Sequence, residues 1–239
     1  QVVFGDGTVV IKAIAAGRLH ALALDTNGYL WTWGYNANGQ LGNGSFSTNA
    51  QTVPTQILDP VTKTVDHYEC TQGHVAFNGQ NVAEGQACPV DGCTGTIKAI
   101  YTGPFFGNLK TIAAGNDFSM ALDNKGQVWT WGNNTYGQVG VNSDGKDVLE
   151  PVRTGGFSSS PEQMAGVNKA FQLDTVAAIA AGGRHGVALT YGGAVYAWGD
   201  DDYGQLGRGG TEIPLEDRRE DTDRVSSRYP REILSKDLY

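Results

Sequence analysis

Positive charge is scarce in this sequence. Seventeen lysines and arginines face 25 aspartates and glutamates, a formal net charge of -8, and the basic residues nowhere run longer than Arg218-Arg219. A groove for nucleic acid needs clustered Lys and Arg to neutralise phosphates, so none is expected. No apolar stretch approaches the roughly 20 residues of a membrane helix. Cysteine is limited to three positions, an odd count that argues against a complete disulfide framework. Gly-x-Ser-x-Gly, a Walker loop, a dinucleotide fingerprint and His-Glu-x-x-His are all missing, so no catalytic residue is assigned and a non-enzymatic role is expected. Glycine, by contrast, is plentiful at 34 of 239 residues. It follows no Gly-X-Y period, which excludes collagen, and its spread among Trp, Val and Leu suits tight turns between short strands. An all-β fold follows.

One stretch occurs three times. Residues 14–42 read IAAGRLHALALDTNGYLWTWGYNANGQLG, residues 112–140 read IAAGNDFSMALDNKGQVWTWGNNTYGQVG, and residues 179–207 read IAAGGRHGVALTYGGAVYAWGDDDYGQLG. The three align without a gap over 29 positions, at offsets of 98 and then 67 residues. In each, an apolar run ends at Gly17, Gly115 or Gly182, where a turn with positive φ is expected. An alternating segment such as Ala21-Leu22-Ala23-Leu24 reads as a strand. Thr26-Asn27-Gly28 and its equivalents read as a hairpin turn. The return strand carries Trp31 and Trp33, Trp129 and Trp131, or Tyr196 and Trp198, spaced by two so that both rings face one side. Gly39-Gln40-Leu41-Gly42 and its partners frame a second turn, with Gln40, Gln138 and Gln205 placed to satisfy turn backbone. Each unit, with the variable segment after it, supplies about one four-stranded sheet.

This pattern of IAAG, a small-residue strand, a glycine turn, WxWG and GQLG resembles the repeat of the regulator of chromosome condensation family, in its bacterial or phage variety. The resemblance covers 87 of 239 residues. It implies β-propeller blades within a ring of about seven. Three blades are too few for a closed ring, so the remaining blades are expected from a longer parent chain or from other copies. The repeat residues read as scaffold. His20 and His185 fill a position held by Phe118 in the middle unit, which marks it as a packing site rather than a catalytic base.

The organisation read from the sequence is a first propeller repeat at 1–58, an insertion at 59–100, a second repeat and spacer at 101–178, and a third repeat with a charged tail at 179–239. The spacer after the first unit holds 69 residues against 38 after the second, and all three cysteines lie in it. Cys70-Thr71-Gln72-Gly73-His74 and Cys88-Pro89-Val90-Asp91-Gly92-Cys93 resemble the two knuckles of a zinc ribbon. That resemblance implies structural zinc held by Cys70, His74, Cys88 and Cys93, although the knuckle spacings depart from the common two residues. His67 is an alternative fourth ligand. A Cys88–Cys93 disulfide with Cys70 free, or three inert thiols, are the competing readings. The aspartates Asp200-Asp201-Asp202 align with Tyr35-Asn36-Ala37 and Asn133-Asn134-Thr135, and so read as a polar turn rather than a calcium site.

The expected function is a scaffold with a protein partner, without nucleic acid and without a membrane span. The alternative is a structural or adhesive component of a cell surface or virion that binds a glycan or host receptor, with Tyr35, Tyr136 and Tyr203 as stacking surfaces. The insertion and the charged segment after Gly210 are the places to look for a specific partner.

Overall fold

The computed structural model describes residues 2–70, 72, 86–88, 93–102, 106–141, 143, 145–154, 175–207 and 231–233. His74 and the charged segment at 212–230 lie outside those residues. Two compact units emerge: Gln1–Ile57 with Gly107–Tyr239, and Leu58–Phe106.

The first unit carries three four-stranded antiparallel sheets, each a simple meander. They are β1 (Ile11–Ala16), β2 (His20–Asp25), β3 (Leu30–Asn36) and β4 (Ser47–Gln56); β7 (Leu109–Ala114), β8 (Phe118–Asp123), β9 (Val128–Gly132) and β10 (Val148–Arg153); and β11 (Val176–Ala181), β12 (His185–Thr190), β13 (Val195–Gly199) and β14 (Arg231–Glu232). The repeat supplies the first three strands of each sheet. The variable segment returns the fourth. The family-like repeats therefore build propeller-like blades.

Local chemistry accounts for each blade. The β2–β3 turn needs a left-handed residue at its tip, and Gly28, Gly126 and Gly193 supply it with φ of 87°, 80° and 85°. The first strand of every blade holds one extra residue against its partner, between Ile11 and Ala13, Leu109 and Thr111, and Val176 and Ala178. Such a bulge re-aims a side chain. Here Lys12 and Lys110 reach the backbone carbonyls of Leu109 and Ala177 in the following blade, at 3.3 and 3.1 Å.

Gly17, Gly115 and Gly182 require a correction. They do not turn the chain with positive φ. A Cβ on each would overlap the ring of His20, Phe118 or His185, and on Gly17 and Gly115 it would also come within 2.6 Å of the Gly115 or Gly182 carbonyl. Close packing, both within the blade and between blades, demands glycine there.

The first strands β1, β7 and β11 neighbour one another in turn. Between the second and third blades lies a core of Phe118, Met120, Leu122, Val128, Val176, Ala188 and Trp198. Each such large side chain contributes about 1.5–3 kcal/mol by leaving water. Blade positions fix exposure: Ile112 is 8% exposed where it meets the preceding blade, whereas Ile14, its equivalent in the first blade, is 78% exposed.

The second unit pairs β5 (Thr64–Cys70) antiparallel with β6 (Ile97–Thr102), in a register that sets Cys70 opposite Ile97. A bridge between Ala87 and Thr96 adds a third, short segment. It is held by Cys88 N–H donating to the Gly95 carbonyl at 2.9 Å and Ile97 N–H donating to the Gln86 carbonyl at 2.7 Å.

Candidate functional site

In the first two blades the same side chains close the hairpin between the second and third strands. The aspartate ending the second strand holds the hairpin: Asp25 Oδ1 accepts Asn27 N–H and Tyr29 N–H, both at 2.9 Å, while Oδ2 accepts the Trp31 indole N–H at 3.0 Å. Asp123 repeats the arrangement with Lys125, Gln127 and Trp129. In the third blade Thr190 replaces the aspartate and Tyr196 replaces the tryptophan, and Thr190 Oγ1 accepts Ala194 N–H at 3.1 Å. The aspartate and the first tryptophan thus vary together. Sequence reasoning missed this pairing, whose signal was an acid six residues before Trp in two units and lost with Trp in the third.

The glutamine of each Gly-Gln turn accepts a backbone N–H two residues before it, Asn38 to Gln40, Tyr136 to Gln138 and Tyr203 to Gln205, at 2.8–2.9 Å. Its carbonyl receives the second tryptophan of the following blade. Trp131 donates to Gln40 and Trp198 to Gln138, both at 2.9 Å. Trp31 and Trp33 share one side as expected, since Phe4 packs edge-on against both at 5.7 and 5.6 Å.

His20 is buried between the first two blades. Ser119 Oγ donates to the Gln40 carbonyl at 2.8 Å, so it accepts from His20 Nε2–H at 2.9 Å, which leaves Nδ1 as the unprotonated nitrogen. That nitrogen has no hydrogen-bond partner. Burial lowers the His20 pKa to about 4, with the Asp117 charge opposing the shift. A neutral, enclosed imidazole with no route to a substrate is a packing group. The Gln40 side-chain nitrogen is also buried and unsatisfied. Its counterpart on Gln138 donates to Asn133 at 2.7 Å, but Tyr35 occupies the matching place in the first blade and offers no such oxygen.

Several side chains that differ between repeats lie together at one end of the blades. The β1–β2, β7–β8 and β11–β12 turns lie beside the loops that follow β3, β9 and β13, because Leu19, Asp117 and Arg184 carbonyls accept Tyr35, Asn133 and Asp200 N–H at 2.8–3.0 Å. Arg18 pairs with Asp117 at 2.8 Å across the first two blades, an exposed contact worth at most about 1 kcal/mol. Arg184 lies 4.5 Å from the Tyr136 ring centre and 3.9 Å from Asp200. Asp147 ties the same loops together, accepting from Asn38 at 2.8 Å and Asn133 at 3.1 Å. Of the three tyrosines expected as stacking surfaces, only Tyr203 stands free, at 93% exposure, while Tyr35 and Tyr136 are half-buried. Leu19 and Phe46 are exposed on the same end. Asp200 and Asp201 serve the turn, accepting Asp202 N–H at 3.0 Å and Leu206 N–H at 2.9 Å.

An open depression of about 350 Å³ is lined by Ala16, Gly17, Arg18, Ala114, Gly115, Asn116, Ala181, Gly182 and Gly183. These residues include no carboxylate, imidazole, thiol or hydroxyl, so the depression offers neither nucleophile nor general base.

In the second unit the Sγ atoms of Cys70, Cys88 and Cys93 lie within 4.8 Å of one another, and among the described residues no other group of three His, Cys, Asp or Glu side chains converges in this way. None of the three is joined in a disulfide. Cys70 and Cys93 sulfurs are 3.3 Å apart, and each accepts a backbone N–H two residues on, from Gln72 at 3.4 Å and Gly95 at 3.3 Å. Three of the four residues expected as metal ligands are thus brought together. His74 lies outside the described residues, and His67 sits in β5.

Comparison with known proteins follows the same lines. The profile of the regulator of chromosome condensation (RCC1) repeat matches residues 11–40, 109–138 and 176–205, and in a second form residues 27–77, 125–189 and 192–237, more than half of the chain. The chain is 29% identical over 222 residues to the probable E3 ubiquitin-protein ligase HERC6 of Homo sapiens, covering 89% of this chain and 20% of that protein. It is 30% identical over 220 residues to the protein RCC2 homolog of Danio rerio, covering 87% and 34% respectively. Among solved structures, Prp20p of Saccharomyces cerevisiae, described together with its binding to Gsp1p and histones, superposes with a TM-score of 0.56 at 20% identity, over 94% of this chain and 38% of that one. The chain therefore spans less than two fifths of the length of each of these proteins.

Proposed function

The chain belongs to the regulator of chromosome condensation (RCC1) repeat family, and from that premise we propose that it is a non-enzymatic β-propeller scaffold whose loop face binds a protein partner. The observation that carries this reading is the division of labour within the repeat. Side chains common to the units (the Trp, Gln and Gly positions) are consumed in closing and joining blades. Several of those that differ, Leu19, Phe46, Asp117, Arg184 and Tyr203, lie together at one end on loops tied to a rigid frame, while Tyr191 is exposed at the opposite turn. Surface aromatics and arginine beside apolar side chains are the usual anchors of protein interfaces. Prp20p, which shares the fold, binds proteins, which agrees with such a role.

The blades belong, on this reading, to a ring of about seven completed by a longer parent chain or by other copies. Two exposures support it: Ile14 at 78%, where its equivalent Ile112 is at 8%, and Leu189 at 40%, where Leu24 and Leu122 are at 0%. Apolar side chains that are buried in the middle of the array are bare at its two ends. A native polypeptide that runs as a monomer of 25.4 kDa would contradict ring completion.

The test of the binding role is affinity capture from the native source with the wild-type chain and with the triple variant Leu19→Asp, Phe46→Asp and Tyr203→Asp. Specific proteins captured by the first and lost by the second support the reading, given unchanged tryptophan emission. Undiminished capture by the variant, or selective binding to a glycan array in place of proteins, would count against it.

A further inference from the structure

We propose that Cys70, Cys88 and Cys93 form a three-thiolate site for a structural Zn²⁺ that organises the 58–106 unit, independently of the loop face. Three sulfurs gathered within 4.8 Å of one another offer three of the four ligands of a tetrahedral ion, for which Zn–S distances are about 2.3 Å. The backbone around them also fixes the sulfurs. Gln72 N–H points at Cys70 Sγ and Gly95 N–H points at Cys93 Sγ, each donated from two residues downstream. Two such N–H groups are contacts of the kind that hold a ligating sulfur in place.

The three sulfurs come from separate pieces of chain. Cys70 ends β5, Cys93 precedes β6, and Cys88 lies on the short segment that bridges to Thr96 through Ala87. One ion on all three would clamp the two strands and the bridge together. Cys70, Cys88 and Ile97 form a buried cluster in this unit, with Cys93 packed against them. Two of the three buried members of this cluster are thus the proposed ligands, so an ion held by them would tie the cluster together through bonds in addition to packing. Binding would displace the thiol protons, so occupancy falls as pH is lowered.

The competing chemistry is oxidation. Cys70 and Cys93 sulfurs at 3.3 Å are near enough to join, which would leave Cys88 alone. The favoured occupant is zinc, because oxidation uses two of the three sulfurs and gives no reason for the third to converge.

The experiment uses the full 239-residue chain, untagged and purified with reductant but without chelator. Expected are about one zinc per chain, a thiolate-to-metal charge-transfer band with tetrahedral d–d absorption after Co²⁺ exchange, and three thiols that react with a disulfide reagent only once a chelator is added. Cys70→Ser, Cys88→Ser and Cys93→Ser should each lose the metal. All five tryptophans lie outside residues 58–106, so their emission reports separately that the blades remain folded. Metal content and the cobalt spectrum are read on the wild type, so an unstable variant does not decide the matter. The proposal is overturned by zinc below about 0.2 per chain with three thiols reactive at once, or by a chain two hydrogens lighter that carries a Cys70–Cys93 bond.

Discussion

Trp131, in the second blade, donates its indole N–H to the backbone carbonyl of Gln40 in the first, and Trp198 makes the same 2.9 Å contact to Gln138 one blade further on. The blades are thus joined by a bond between the two most recognisable features of the repeat, WxWG and GQ. Ser119 also donates to the Gln40 carbonyl, so removing the indole does not orphan it. Trp131→Phe should therefore cost the lost volume and one hydrogen bond, about 2–3 kcal/mol. Trp33→Phe, at a half-exposed ring, should cost under about 1 kcal/mol. Urea unfolding followed by circular dichroism compares them, and equal losses would refute the inter-blade role of Trp131.

The Asp123–Trp129 pair can be exchanged for the third blade's solution. Asp123→Thr alone removes the carboxylate that Trp129 donates to, at a cost of about 1–3 kcal/mol. Combining it with Trp129→Tyr reproduces Thr190 and Tyr196. The two changes should couple by about 1 kcal/mol in the stabilising direction in a double-mutant cycle. Strict additivity would show that the two positions vary independently.

His20 makes stability depend on pH. Its folded pKa of about 4 lies below the ordinary 6.5, so between those values the unfolded chain binds a proton that the folded chain refuses. The contribution is fully present above pH 6.5 and is lost as the pH falls towards 4, by up to about 3 kcal/mol. His20→Phe, which installs the side chain found at position 118, should flatten that window. The readout is the difference in urea midpoint between wild type and variant across the window; a difference that does not change with pH would contradict the assignment.

Zinc retention should discriminate the two histidines near the cysteines. With His74 as fourth ligand, as the sequence pattern expects, His74→Ala weakens zinc about tenfold or more against a competing chelator, and His67→Ala leaves it unchanged. The reverse result would transfer the fourth position to His67.

The blades were legible because their residues recur: a 29-residue unit written three times announces its strands, its turns and the shared orientation of its two tryptophans. Sequence also marked Gln40 and its equivalents as turn-satisfying groups and His20 as packing. It misjudged Gly17, Gly115 and Gly182, because a glycine at the end of an apolar run looks the same whether it turns the chain or makes room for a ring. It passed over Asp25 and Asp123 because an acid before a hairpin reads as solvated polarity until its indole partner is placed. The loop face was beyond its reach. Leu19 and Phe46 stand 27 residues apart around the first repeat and Tyr203 in the third, and only the folding of the blades gives them a common end. The convergence of the three cysteines, by contrast, was readable from their confinement to one insertion.

On the proposed reading a partner binds the end carrying residues 17–19, 35–46, 115–117, 133–141, 182–184 and 200–207. Amide hydrogen exchange of the chain, with and without a captured partner, tests it most directly. Slowed exchange in those loops, with the opposite turns at 26–29, 124–127 and 191–194 unchanged, is the predicted result. Protection confined to the opposite turns would contradict the claim.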